Sequence, residues 1–178
     1  MVGNNVDVFT FGLSLAVLGG AQAALFAWFR YGELRLPAGS AYPGAAVNSV
    51  ATAVVDEATF RGALQGMLLA AGLPNGSAIL VQALVYTLTT RMGAPGRHRY
   101  MLFLSLGIGV ACGWATMSTG GIGAAILAHS LTSFALFVFT GHAGQVTRRG
   151  LEPEEIEARR RPEGWLDARR RDEASNQG

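Results

Sequence analysis

VVDEATFRGALQG, residues 54–66, sets Asp56, Glu57 and Arg61 inside a run that is otherwise small and apolar. Reading outward from it, a window long enough for a bilayer finds apolar segments at about 9–29, 46–72, 74–90, 100–118 and 121–141. Five transmembrane helices are therefore expected, in an all-α membrane protein. The third is short and carries threonines, and the second is long enough to tilt. On this reading the three charges lie within a membrane span. Each costs about 2.5–3.5 kcal/mol at a helix centre on insertion scales unless paired or hydrated.

The rest of the 178-residue chain supports a membrane class. Half of it is hydrophobic and the charges are unevenly distributed. The net charge of +2 arises in the first 147 residues, whereas the arginines from residue 148 onward are matched one for one by acids. That balance cancels the field a phosphate backbone requires, so no nucleic-acid partner is expected. Lysine is absent, and with the abundance of alanine and glycine this reflects a GC-rich genome. The one cysteine, Cys112, makes neither a disulfide framework nor a metal cluster.

Arginines outside the spans fall in alternate connections: Arg30 and Arg35, then Arg91, Arg97 and Arg99, then the tail. The positive-inside rule accordingly puts the N-terminus outside and the tail in the cytoplasm. The first span lacks a basic n-region and reads as a retained anchor. Two regions follow: a helical membrane domain, 1–147, with its motif core at 46–141, and a charged cytoplasmic tail, 148–178, expected to be largely disordered. Gly62 with Gly66, and Gly109 with Gly113, carry the spacing that lets membrane helices approach closely.

Glu57 and Arg61 are four apart and share a helix face, while Asp56 points about 100° away. A second polar cluster lies in AAILAHSLTSF, where His129 and Ser133 are also four apart. Counted from the cytoplasmic edges of antiparallel spans, Glu57 and His129 both sit about 17 Å deep. Two polar faces at one depth can meet. A purely structural reading makes Glu57 and Arg61 a bridge that pins the bundle; intramembrane charge more often marks function.

DEATFRG resembles the E-E-x-x-x-R signature, often E-E-x-x-F-R-G, of the CPBP family of intramembrane proteases, which includes type II CAAX prenyl endopeptidases, Abi-type proteins and bacteriocin self-immunity proteins. AAILAHSLTSF resembles its last motif, a histidine followed four residues later by asparagine. The resemblance implies a CPBP-type bundle in the bacterial plasma membrane that hydrolyses a peptide bond in a membrane-associated or prenylated substrate, with membrane lipid as its surroundings. It assigns water activation to Asp56, support of the site to Glu57 and Arg61, and oxyanion stabilisation to His129 and Ser133, the last a hydroxyl in place of the amide. No cofactor is implied beyond the older description of the family as metalloproteases; Asp56, Glu57 and His129 make a poor metal set, because two of them already have other work or point apart.

Two departures stand out. Aspartate replaces the first glutamate, which retracts the carboxylate by about one carbon–carbon bond. In ALVYTLTTR, Tyr86 takes the place of the family's phenylalanine and Thr90 that of its histidine. Threonine is no base near neutral pH, and losing a positioned base typically forfeits about 10²–10⁴ in rate. His98, in the loop GAPGRHRY, is a remote substitute. These departures leave a non-catalytic adaptor or immunity protein, binding a peptide, lipid or partner helix, as the rival to a peptidase.

Overall fold

The computed structural model describes residues 5–93 and 100–141; the tail from 148 and the loop with Arg97, His98 and Arg99 lie outside them. Among the described residues every regular element is helical. Helix α1 spans Asn5–Tyr31, α2 Tyr42–Glu57, a π-helical segment Ala58–Gln65, α3 Gly66–Ala70, α4 Asn75–Gly93, α5 Tyr100–Thr119 and α6 Gly123–Thr140. Because α2, the π segment and α3 follow one another without a break, the described residues form five rods, close to the five segments expected.

Three of the rods, at Asp7–Tyr31, Met101–Thr119 and Gly123–Thr140, are long and apolar enough to cross a membrane by length and composition. The remaining two carry long polar side chains into the interior: Glu57, Arg61 and Gln65 on one, Gln82 on the other. Their apolar signal is diluted by the side chains they contribute to the core.

Helix ends follow the local chemistry. Asp7 sits in the first turn of α1 and Arg30 in its last, each opposite in sign to the helix dipole there. The helix stops at Gly32, whose positive φ of 77° lets its N–H close onto the Trp28 carbonyl at 2.8 Å. Gly141 ends α6 in the same way, on Phe137.

Burial is inverted relative to a water-soluble protein. Phe9, Val17, Leu18, Trp28 and Phe29 of α1, with Leu88 and Phe103, are exposed, whereas Glu57, Arg61, Gln65, Gln82, His129 and Thr132 are buried. Lipid tails solvate such an outer surface, so the interior is held by close contact and polar groups rather than by the hydrophobic effect. A smaller apolar cluster of Phe26, Met101, Leu104 and Leu136 ties α1, α5 and α6 together.

Small residues set the approach distances. A Cβ on Gly19 of α1 would overlap the Thr132 side chain of α6, and one on Gly12 would lie 3.1 Å from the Ala124 carbonyl. Gly109 of α5 is equally tight against Ala83 of α4, 2.9 Å from its Cβ, and Gly113 abuts Gln82. The expected close approach at Gly62 and Gly66 is not found. Both are exposed, nothing among the described residues comes within 4 Å of a Cβ on Gly66, and only the Glu57 carbonyl, at 3.8 Å, does so for Gly62. The reason is that Arg61 and Gln65 occupy the inward face of this rod and turn the glycines outward.

These contrasts give a paired expectation. Gly19→Leu should destabilise the bundle by about 1–3 kcal/mol through overpacking, while Gly66→Ala should be neutral or gain up to about 1 kcal/mol of helix propensity. Thermal unfolding in detergent micelles measures both.

Candidate functional site

The inward edge of the second rod is built from Ala45, Ser49, Ala53, Glu57, Arg61 and Gln65, a strict interval of four. In an α-helix of 3.6 residues per turn each such step overshoots by about 40°, so the seam winds around the rod. From Ala58 to Gln65 the backbone is π-helical, with i→i+5 bonds and a wider turn, and a step of four then undershoots. The winding reverses, and Arg61 and Gln65 both remain buried. Nothing in the hydropathy pattern marks this change of helix type.

Glu57 is fully buried and meets both His129 and Arg61. Its Oε1 is 2.8 Å from His129 Nδ1. Its Oε2 is 3.1 Å from Arg61 Nε, an ion contact at an angle outside hydrogen-bond geometry. The two polar clusters noted in the sequence thus touch directly. Arg61 also lays its guanidinium 4.6 Å from the centre of the Tyr86 ring and reaches the Ile108 carbonyl of α5 through Nη2 at 3.4 Å. Its Nη1 has no hydrogen-bond partner among the described residues. A desolvated cation over an aromatic face is worth about 2 kcal/mol or more.

Tyr86 closes the cluster from α4. Its hydroxyl stands 3.4 Å from His129 Nε2, and Phe60 packs edge-on against its ring with centroids 5.1 Å apart. Thr90, one turn further, returns its hydroxyl to its own helix, 2.8 Å from the Tyr86 carbonyl and 2.9 Å from that of Thr87.

Beside these groups lies a cavity of about 480 Å³. Asp56, Thr90, His129 and Ser133 line it, as do Tyr86, Asn48, Ser49, Thr52, Ser105 and Thr132. Glu57 and Arg61 stand behind this wall. The motif positions therefore divide into five that line the cavity, Asp56, Tyr86, Thr90, His129 and Ser133, and two that are sealed in the protein. A smaller cleft of about 110 Å³ between α1, α5 and α6 shares Ile108, His129 and Thr132 with the first.

Two glutamines went unremarked in the sequence. Gln65 Nε2 donates to the Gly113 carbonyl at 3.2 Å, and Gln82 Nε2 to that of Gly109 at 2.8 Å. With Arg61 on Ile108, three side chains from two rods fasten onto the α5 backbone. The available signal was an amide inside an apolar span, where a polar group needs a partner.

Among the described residues no group of three or more His, Cys, Asp or Glu side chains is placed to hold a metal ion. Glu57, the carboxylate closest to His129, has both oxygens engaged by protein groups.

Removing one member of the buried pair should cost more than removing both. Glu57→Leu strands the Arg61 guanidinium and is expected to destabilise by about 3–5 kcal/mol, whereas Glu57→Leu with Arg61→Leu should recover much of that loss. Unfolding midpoints of the three proteins in micelles decide it.

A family model described as type II CAAX prenyl endopeptidase Rce1-like matches residues 38–135, more than half of the chain. No curated protein and no solved structure matches it. The matched region runs from just before α2 into α6 and contains Glu57, Arg61, Tyr86 and His129 together with most of the residues that line the cavity. An integral membrane protein with this helical core and this buried cluster belongs to the type II CAAX prenyl endopeptidase Rce1-like family.

Proposed function

We propose that the chain hydrolyses a peptide bond in a membrane-associated substrate, as a CAAX prenyl protease-like endopeptidase. The observation that carries this reading is the division of the motif residues: Asp56, Thr90, His129 and Ser133 border one cavity, while Glu57 and Arg61 lie behind it in contact with His129 or with each other. At about 480 Å³ the cavity is within the range of sites that enclose a small ligand or a short peptide segment.

Each residue then has a task. The Asp56 carboxylate polarises a water molecule from the cavity wall. Glu57 and Arg61 hold the His129 ring in place, and a ring so held loses little entropy when substrate arrives. Ser133 supplies a hydroxyl toward the carbonyl oxygen, a donor of the kind that stabilises a developing oxyanion. The distribution of arginines supports an N-terminus outside and a tail in the cytoplasm, and a bacterial plasma membrane is the location we assign.

A second reading rests on Thr90. Its hydroxyl is occupied by carbonyls of its own helix, so the position offers no base to the cavity. On that reading the cavity binds a peptide, lipid or partner helix without cleaving it.

Purified protein in detergent, challenged with a library of membrane-associated and prenylated peptides, should cleave a subset slowly. Asp56→Asn should abolish the cleavage, and Thr90→His should raise turnover by about 10²-fold, the lower end of what a positioned base contributes. Silence from the folded parent and from the Thr90→His variant, with peptide binding retained, establishes the second reading instead.

A further inference from the structure

The pairing of atoms around His129 fixes more than the position of its ring. Glu57 Oε1 lies 2.8 Å from Nδ1, and Oε2 of the same carboxylate is in ion-pair contact with Arg61 Nε at 3.1 Å. An ionised carboxylate only accepts, so the hydrogen of that bond belongs to Nδ1. A neutral imidazole with its proton on Nδ1 has a lone pair on Nε2. The group that meets Nε2 is the Tyr86 hydroxyl, which can donate. The ring is therefore an acceptor on the side where the resemblance to the family assigns an oxyanion donor.

We propose that Glu57, His129 and Tyr86 form one proton-transfer chain. In it Nδ1–H donates to Glu57, Nε2 accepts from the Tyr86 hydroxyl, and that hydroxyl meets the nucleophilic water, supplying the proton acceptor that position 90 lacks. Tyr86 and His129 both border the cavity with Asp56, so a water held by Asp56 has this hydroxyl within its enclosure. The feature departs from the motif that this stretch resembles, since a phenylalanine at position 86 has no hydroxyl to place between water and imidazole.

The proposal rests on the hydrolytic reading for its reaction, and the step balances. Water gives a proton to the Tyr86 oxygen as Tyr86 passes its own to Nε2. The water oxygen bonds to the carbonyl carbon, and the carbonyl π electrons move to oxygen, toward Ser133. When the carbon–nitrogen bond breaks, the imidazolium returns the proton through Tyr86 to the leaving amine. Glu57 stays ionised throughout and offsets the transient charge on the ring.

The hydrogen-bond chain is testable without any substrate. Protein labelled with ¹⁵N-histidine in micelles has three histidine signals, and His129→Gln identifies the one of interest. The expected spectrum at neutral pH shows a protonated Nδ1 and an unprotonated, hydrogen-bonded Nε2. Tyr86→Phe keeps the ring that Arg61 stacks on and should move Nε2 to the position of an unbonded lone pair while Nδ1 stays protonated. A protonated Nε2 in the parent, or an Nε2 signal indifferent to Tyr86→Phe, overturns the proposal. Where the parent cleaves a peptide, Tyr86→Phe should lower kcat by about 10²-fold or more with KM little changed; an unchanged kcat overturns the role of the hydroxyl in the reaction. Absence of cleavage by the parent, alongside the expected spectrum, sinks the hydrolytic reading while the hydrogen-bond chain stands.

Discussion

One carboxylate organises the interior of this protein. Glu57 has no contact with solvent, and its two oxygens face two different helices' worth of consequence: Arg61 on its own rod, and His129 on α6. A charge so deeply desolvated persists only with close partners. Arg61 in turn needs the Tyr86 ring and the Ile108 carbonyl, which brings in α4 and α5. Satisfying one anion thus recruits four of the five rods, and the cavity is what remains beside them once those contacts are made.

The division between sealed and accessible motif residues has a physical logic. Groups that touch a substrate must tolerate water, and groups that hold them in place work best without it, because low dielectric strengthens each contact. Glu57 and Arg61 occupy the dry side, and Asp56, the next residue along from Glu57, faces the cavity. Adjacent positions on a helix point about 100° apart, so a pair of neighbouring acids is an economical way to serve both environments from one turn.

Much of this was legible in the sequence. The helical segments follow from the apolar windows, three of them long and apolar enough to cross a membrane, and the meeting of Glu57 with His129 agrees with the depth counted along neighbouring segments. Intramembrane charge is expensive enough that Glu57, Arg61 and His129 announce themselves. Other features were not accessible to that reasoning. Gly62 and Gly66 have the spacing of a packing motif yet face outward, because spacing alone does not say which face of a helix is buried. Gln65 and Gln82 are uncharged and belong to no ion pair, so the sequence does not say which backbone carbonyls of α5 they meet. The hydroxyl of Tyr86 reads as one more aromatic until the ring of His129 is placed beside it.

The π-helical segment bears on how the gene can change length. Between Ala58 and Gln65 the backbone accommodates its wider turn, and the side chains on either side of it are buried against different neighbours: Glu57 toward α6, Gln65 toward α5. Loss or gain of a single codon there would rotate everything downstream on the rod by about 100° relative to everything upstream. A substitution at an exposed position of this stretch leaves the register intact, but a deletion would part Arg61 or Gln65 from its anchorage in a single step. The number of residues from Glu57 to Gln65 is therefore as much a determinant of the site as their identities.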